Sequence, residues 1–317
     1  MKQLSLLDAH CDTAYELYRR KETLSDNTCH VSLSHSRAFD RYGQCYAIWS
    51  DKHLDDETCW AQFLAIADYF KQQVEACSDR VSLVRSFDEL SAAWSASKQA
   101  AFLAVEDARL LNGDLSRLDI LKQMGVIYLT LLWGGHSCIG GAHNTDEGLT
   151  EFGKEVVLGC FDRGILPDIS HASERSADEV LEMAASHGKP ILATHSNSYS
   201  VYAHSRNLRD HHFRSICALG GFVGISLCRI HLSQENASVE DVVRHIDRYM
   251  ELGGEHTVGL GCDLDGTDLP DTMSNLSDLT KLSDALSAHG YSDSQIENIF
   301  WKNKYTFLQK NLIEKQN

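Results

Sequence analysis

Short apolar runs alternate with longer amphipathic segments along most of the chain. The runs lack a clean apolar–polar alternation, which is typical of parallel strands that are buried on both faces. There are eight of them, at residues 4–9, 44–49, 101–105, 126–132, 165–169, 190–194, 221–227 and 257–262. We therefore predict eight parallel strands.

The segments between the runs have helical spacing; Phe63, Ala67, Phe70 and Val74 are one example. Ser173 and Ser176 can cap a helix that ends before Gly188. The predicted helices cover residues 56–76, 114–124, 150–163, 173–187 and 239–252, followed by two helices in a tail from 276 to 313. Alternation of strand and helix predicts right-handed βαβ units, and eight strands favour closure into a (β/α)8 TIM barrel over an open sheet.

Length and composition agree with one such barrel. The chain has 317 residues, of which 43% are hydrophobic and only three are proline. No linker rich in proline, glycine or serine divides it. We therefore expect a single α/β domain over residues 1–317, in which the barrel is followed by C-terminal helices at about 276–313.

Charge and cysteine usage narrow the cell compartment and the partners. A net charge of −16 argues against nucleic acid and anionic membranes as partners. No apolar stretch reaches the roughly 18 residues that span a bilayer, and neither terminus resembles a signal peptide or a lipid anchor. The ten cysteines are scattered without a C-x-x-C pair, which favours buried free thiols. These features predict a cytoplasmic protein.

Six polar residues stand at or just after the ends of the apolar runs, and all are metal-ligand types: His10, Asp12, Glu106, His171, His195 and Asp263. The carboxyl ends of barrel strands converge on one axis, so residues far apart in sequence meet there. A lone histidine at a strand end is usually structural, and a lone aspartate is often a helix cap. Six such residues on one face favour a metal site instead.

This donor set suffices for two divalent ions if one carboxylate bridges them, and Glu106 lies between the others in barrel order. Two ions about 3.5–4 Å apart activate a shared water and polarise a carbonyl, which is chemistry for amide hydrolysis. Zinc is the first candidate, although cobalt and manganese accept the same ligands. Cys11 should point away from the metals, into the barrel packing.

The other histidines and motifs in the sequence are weaker evidence of function. We expect the remaining histidines to lie mostly at the surface, in helix or loop segments: His35, His53, His187, His211, His212 and His245. His256 precedes the last run and belongs to the opposite end of the barrel. Residues 263–266 lack calcium-loop spacing, the glycines at 134–141 lack a following Lys-Ser/Thr, and no G-x-S-x-G occurs.

The chain resembles the membrane (renal) dipeptidases and their bacterial relatives, zinc metallopeptidases of the amidohydrolase-like barrel group. Segments in family order carry the resemblance over nearly the whole chain: DAHCD at 8–12, AVE at 104–106, YLTL at 128–131, GLTEFG at 148–153, DISH at 168–171, THS at 194–196, SRNL at 205–208 and GLGCDLDG at 259–266.

The resemblance implies a role for each candidate. His10, Asp12 and Glu106 would hold one zinc, and Glu106 would bridge to a second zinc held by His171 and His195. Asp263 would contact the bridging water and carry its proton to the leaving amine. Arg206 would bind the carboxylate of the dipeptide's C-terminal residue. Without the resemblance, a surface salt bridge would be the better interpretation of Arg206.

Two positions depart from the family. Trp133 stands where some members have a histidine that steadies the tetrahedral intermediate, so a metal, His136 or His143 is left for that task and Trp133 is expected to line the substrate site. Asp107-Ala108 replaces the usual glycines after Glu106, which adds charge and bulk beside the metals.

The sequence therefore predicts a di-zinc dipeptidase in which a metal-bound hydroxide attacks the peptide carbonyl. The resemblance implies that dipeptides with a C-terminal D-residue are among the substrates, and it suggests a homodimer. Two alternatives stay open. One is an amidohydrolase acting on an N-acyl amino acid, lactam or cyclic amide with the same metals; the other is a non-catalytic metal-binding barrel.

Overall fold

A computed structural model describes residues 3–312 of the chain. All eight predicted strands form, with bounds shifted by a few residues, and a three-residue strand joins them. The strands are β1 (Leu6–Cys11), β2 (Tyr42–Trp49), β3 (Val81–Leu83), β4 (Gln99–Glu106), β5 (Val126–Thr130), β6 (Leu166–Asp168), β7 (Leu192–Ala193), β8 (Phe222–Ile225) and β9 (Val258–Leu260).

The sheet is parallel throughout and follows the order β1-β2-β4-β5-β6-β7-β8-β9, with β3 pairing on β4 outside this path. Residues beyond β9 return to β1: Asp12 N donates to Leu264 O at 2.9 Å, and Asp263 N donates to His10 O at 3.1 Å. This pairing nearly closes the barrel and confirms the predicted α/β barrel fold. It also places Asp12 and Asp263 side by side.

The predicted helices are confirmed, and others join them. In chain order the helices are α1 (Thr13–Arg20), α2 (Asp56–Ala76), α3 (Phe87–Ser95), α4 (Arg117–Met124), α5 (Glu151–Arg163), α6 (Glu174–His187), α7 (Asp210–Ala218), α8 (Arg229–Leu232), α9 (Val239–Glu251), α10 (Leu279–Ala288), α11 (Asp293–Glu297) and α12 (Asn303–Asn311). Ser173 caps α6 by accepting from Ser176 N, and Gly188 ends it with φ +59°. The tail predicted to reach 313 ends one residue outside the described part.

Hydrophobic packing forms two layers. The outer layer lies between strands and helices and includes Cys11, which is fully buried there beside Ala14 and Leu17. The inner layer fills the barrel and includes Ala9 and Phe102. Cys11 therefore points into packing, as predicted. Within residues 3–312 all cysteines are free and most are buried, and no helix there has both the length and the apolar character needed to cross a bilayer.

Candidate metal centre

The strands bring all six predicted ligand residues to the carboxyl end of the barrel. His10 is the penultimate residue of β1 rather than a residue after it, and Glu106 is the last residue of β4. The others follow their strands by one to three residues. Three carboxylates and three imidazoles thus meet at one place, and four of the six residues are buried.

Their ligand atoms form two groups that share one carboxylate. In the first, His10 Nε2 lies 3.6 Å from Asp12 Oδ2 and 3.7 Å from Glu106 Oε1. In the second, Glu106 Oε1 lies 3.0 Å from His171 Nε2 and 3.3 Å from His195 Nε2. Asp263 Oδ1 completes a third set, 3.9 Å from His10 Nε2. The ligand atoms within each set lie within 4.8 Å of one another, which is the span around a single ion.

Hydrogen bonds fix the tautomer of His10. The Tyr128 hydroxyl donates to Ala9 O at 2.8 Å, so its oxygen is left to accept from His10 Nδ1 at 3.1 Å. Nδ1 of His10 therefore carries a proton, and Nε2 is the nitrogen that faces the carboxylates. A partner on the far nitrogen is how proteins orient a metal-binding imidazole.

The same logic applies to His195. Thr194 Oγ1 donates to Asp168 Oδ2 at 2.6 Å and accepts from His195 Nδ1 at 2.9 Å. Asp168 is itself held by Thr130 Oγ1, Thr194 N and Ser170 N. This fully bonded carboxylate ties three neighbouring strand ends together and positions His195.

His171 donates from Nδ1 to the carbonyl oxygen of Trp133 at 3.0 Å. All three imidazoles therefore aim Nε2 at one point, and the Nε2 atoms of His171 and His195 are only 3.0 Å apart. Two lone pairs at that distance repel each other unless a cation or a proton lies between them. The backbone role of Trp133 could not be predicted from the sequence, because every residue has a carbonyl.

Electrostatics keeps the two imidazoles of the second group neutral. Burial lowers the pKa of His171 to about 4, with Arg206 acting in the same direction, and burial likewise lowers the pKa of His195. Burial by itself raises the pKa of Glu106. The facing His10 and the other two imidazoles outweigh burial and hold this pKa well below its usual range. An ionised carboxylate facing the neutral imidazoles of His171 and His195 is the form that binds a metal.

The two aspartates behave differently. Burial, aided by the charge of Glu106, raises the pKa of Asp12 to about 6. Burial also raises the pKa of Asp263 well above its usual range, and the carboxylates of Asp12 and Glu106 add to this. Asp263 is therefore the carboxyl group in the cluster that holds a proton most readily in the absence of a cation.

The residues present fit divalent ions. His10 Nε2 and Asp12 Oδ1 are buried without a hydrogen-bond partner, which costs free energy unless a ligand satisfies them. Gly266 leaves room for the cluster, since a Cβ there would overlap the carboxylates of Asp12 and Asp263. His171 and Asp263 have positive φ angles, +70° and +60°, which are uncommon outside glycine and concentrate at functional sites.

A cavity of about 810 Å³ opens above the cluster. Tyr15, Trp49 and Trp133 line one side, with the Trp rings 5.1 Å apart. The other side is polar and is formed by residues that include Arg206 and three histidines, which are His143, His204 and His231. Trp133 is thus one of the residues that line this cavity. His143 lines it too, whereas His136 pairs with Glu147 and lies outside the lining.

Arg206 is buried rather than exposed, which excludes the surface salt bridge. Its guanidinium donates from Nη1 to Ser196 Oγ and from Nη2 to His195 O, both at 3.1 Å. Its Nε is buried without a partner, and no carboxylate of residues 3–312 forms an ion pair with it. A buried cation beside a cavity with a donor to spare fits an anionic ligand.

Asp107 does not add charge to the cavity. Its backbone has φ +75°, and its carboxylate turns away to bond Arg109 N at 3.1 Å and Nε at 3.3 Å. Arg109 in turn donates to Leu54 O and Asp56. The departure from the family glycines therefore braces the segment after Trp49.

The prediction that the other histidines lie at the surface is wrong for two of them. His212 has a side chain that is 3% exposed and bonds Asp178 at 2.9 Å. His245 is fully buried, accepts from Ser198 N at 3.0 Å and bonds Leu232 O at 3.0 Å. Both lie on the core-facing side of their helices. His35 is half-buried, and His53, His187 and His211 are exposed as predicted.

A parallel α/β barrel with a buried cluster of histidines and carboxylates under a cavity at its carboxyl end defines a metal-dependent hydrolase of the amidohydrolase type. The family model for membrane dipeptidases, peptidase family M19, matches residues 1–316, and the chain belongs to this family. It is therefore a metallo-dipeptidase.

Two solved structures and one curated protein are similar to this chain over most of its length. The dipeptidase AC, a metallopeptidase of family M19, is 26% identical with a TM-score of 0.89, covering 98% of this chain and 99% of that one. A metallopeptidase from Rhodobacter sphaeroides, liganded with a phosphinate mimic of L-Ala-D-Ala, is 26% identical with a TM-score of 0.88 over 98% of this chain and 100% of that one. An uncharacterized protein in the pqqA 5′ region of Klebsiella pneumoniae is 28% identical over 257 residues, 77% of this chain and 92% of that protein.

Proposed function

We propose that this metallo-dipeptidase uses two divalent ions, with zinc as the first candidate, and that dipeptides with a C-terminal D-residue are among its substrates. The observation that carries the two-ion proposal is the position of Glu106. One carboxylate contacts both the His10–Asp12 pair and the His171–His195 pair. A single ion would leave one of these pairs without a cation.

His10, Asp12 and Glu106 would hold one ion, and Glu106, His171 and His195 the other. Ions bound there lower the pKa of a water molecule and polarise the peptide carbonyl. The protein contributes the arrangement, since Tyr128, Thr194 and the carbonyl of Trp133 hold the three imidazoles in the one tautomer that presents Nε2.

Asp263 is the residue that we assign to proton transfer. It lies beside Asp12 and His10 and lines the cavity, and in the metal-free protein burial and the carboxylates of Asp12 and Glu106 raise its pKa. A carboxyl group with a raised pKa takes up a proton from water and delivers it to a departing amine more readily than an ordinary aspartate. Cleavage of the peptide bond requires this transfer, because an amide anion is a poor leaving group.

Arg206 is the residue that we assign to substrate selection. Its buried guanidinium faces the cavity from beside His195, with a free Nε donor. A carboxylate bound there would fix the C-terminus of the substrate one residue beyond the scissile bond and would therefore favour dipeptides over longer chains. The dipeptide mimic in the Rhodobacter sphaeroides relative supports acceptance of a D-residue at that position.

Hydrolysis of a panel of dipeptides and the corresponding dipeptide amides tests the role that we assign to Arg206. Arg206→Ala should raise KM for L-Ala-D-Ala and L-Ala-L-Ala by at least about 30-fold, the equivalent of about 2 kcal/mol for an unpaired buried charge. Dipeptide amides, which lack the carboxylate, should be poor substrates of both enzymes. Arg209→Ala is the matched control, because Arg209 is in the same loop but pairs with Glu174 at the surface.

An unchanged KM in the Arg206→Ala enzyme would refute the carboxylate clamp. Efficient hydrolysis of lactams or dipeptide amides, with poor hydrolysis of free dipeptides, would instead favour a different amide as the substrate. Treatment with a chelator should abolish every activity in the panel, and added zinc, cobalt or manganese should restore it.

A further inference from the structure

A second cluster of metal-ligand types lies outside the catalytic cavity. Asp178 lies on α6, and His211 and His212 lie in the first turn of α7. None of the three lines the cavity. The ligand atoms of the three residues lie within 4.8 Å of one another.

The geometry of this cluster suits a single ion. His212 Nε2 lies 2.9 Å and His211 Nε2 lies 3.2 Å from the same oxygen, Asp178 Oδ1. The two imidazole centroids are 4.0 Å apart. Two ring nitrogens and one carboxylate oxygen converging from adjacent helices form one face of a tetrahedron, and solvent is free to supply the fourth ligand.

The donor chemistry selects the class of ion. Two imidazoles and one carboxylate favour zinc and similar transition metals over magnesium or calcium, which prefer oxygen ligands. Burial lowers the pKa of His212, and neighbouring His211 acts in the same direction, so the His212 ring is a neutral ligand. His211 and Asp178 have side chains that are each 59% exposed, which leaves an entry path.

An ion bound at this site would connect two helices that lead out of the loops carrying His171 and Arg206. The helix α6 begins three residues after His171, and α7 begins four residues after Arg206. Glu174 and Arg209 already form an ion pair between the same two segments. A metal that joins α6 to α7 would therefore fix the helices that lead out of both site-bearing loops.

We infer that Asp178, His211 and His212 form a third site for a divalent transition metal, zinc above all. An ion bound there links α6 to α7. The inference is independent of the proposed function, because it concerns none of the residues assigned to catalysis. The simple alternative is that Asp178 only accepts hydrogen bonds from the two histidines.

Calorimetric titration of the holoenzyme with zinc separates these two possibilities. Enzyme saturated at its catalytic centre and freed of excess metal should bind about one further zinc per chain. Loss of one ligand in His211→Ala or Asp178→Asn should weaken this binding at least about tenfold, since even outer-shell changes weaken metal sites by about 10–100-fold. Both substitutions are at exposed side chains, so the fold should be kept.

His187→Ala is the matched control, because His187 is exposed at the end of α6 and bonds only Met183 O. Its titration should match the wild type. Further zinc should also raise the melting temperature of the wild type and the control but not of His211→Ala. The inference would be overturned if the holoenzyme bound no further zinc, or if both cluster variants bound it with wild-type affinity.

Discussion

The two ends of the barrel are built from the same strands, but they differ in polarity and in the size of the cavity at each end. At the carboxyl end, three carboxylates and three imidazoles meet under an open cavity. At the amino end, Phe307 and Leu308 of α12 and the following Leu312 cover the barrel, and the cavity beneath them has a volume of only about 10 Å³. Phe307 packs against Phe222 with a centroid distance of 6.1 Å.

This difference separates stability from chemistry along the strand direction. Buried apolar contacts at the amino end stabilise the fold by removing surface from water. Buried charges at the carboxyl end cost desolvation free energy, and bound cations would offset this cost. Substitutions at one end should therefore change unfolding, and substitutions at the other should change metal content and turnover.

The largest effect is expected for Glu106→Gln. An amide has no charge to share between two ions, so the variant should bind less metal. Ions at such sites supply several kcal/mol to the transition state, so kcat/KM should fall by at least about 10³-fold. Elemental analysis and dipeptide hydrolysis measure these effects, and circular dichroism should show an unchanged fold. A variant that kept both ions and near-normal turnover would break the proposed bridge.

Phe307→Ala is the opposite experiment at the amino end. The side chain is 5% exposed, and its removal leaves a cavity beside Phe222. Truncation of a buried phenylalanine costs about 3–5 kcal/mol of unfolding free energy, which urea denaturation would measure. Under native conditions kcat/KM should stay near the wild-type value. A large fall in kcat with full metal content would show that the two ends are coupled.

The same contrast explains what the sequence predicts well. Packing sets the periodicity of apolar residues, so the runs and helical stripes predict the barrel. The strand Val81–Leu83 was missed because three residues are too few for a period. The convergence of the six ligand residues follows from barrel geometry alone.

Details that depend on side-chain direction could not be predicted. Tyr128 and Thr194 belong to apolar runs, and only the fold shows that their hydroxyls bond His10 and His195. His245 is a partial exception. It lies three residues after Val242 on the buried face of α9, so helical spacing could have indicated its burial.

His245 should make stability depend on pH. Burial lowers its pKa to about 4 in the folded state, from the ordinary value of 6.5. Because the unfolded state then binds more protons, the stability that neutral His245 contributes is complete above about pH 6.5 and is lost as the pH falls towards 4. Between pH 7 and 5 this single group should cost about 2 kcal/mol.

His245→Leu removes this titration and provides the measurement. Urea unfolding of wild type and variant at both pH values should show a smaller loss of stability in the variant, by about 2 kcal/mol. His187→Leu, at an exposed histidine, is the control and should keep the wild-type slope. Equal slopes in the wild type and His245→Leu would contradict the assignment of this pH dependence to His245.

The smallest effect is expected at Tyr128, where the two ends meet. Its ring packs in the inner apolar layer, while its hydroxyl accepts from His10 Nδ1. Tyr128→Phe keeps the packing and removes the hydroxyl, which is both the partner that fixes the His10 tautomer and the donor to Ala9 O. Loss of such a partner weakens metal binding by about 10–100-fold, so competition with a chelator should show one ion leaving more easily than the other. Because the ring stays, metal-free unfolding should change by no more than about 1–2 kcal/mol. If metal affinity were unchanged and stability fell instead, Tyr128 would contribute to stability, like the residues of the amino end, and would have no role in metal binding.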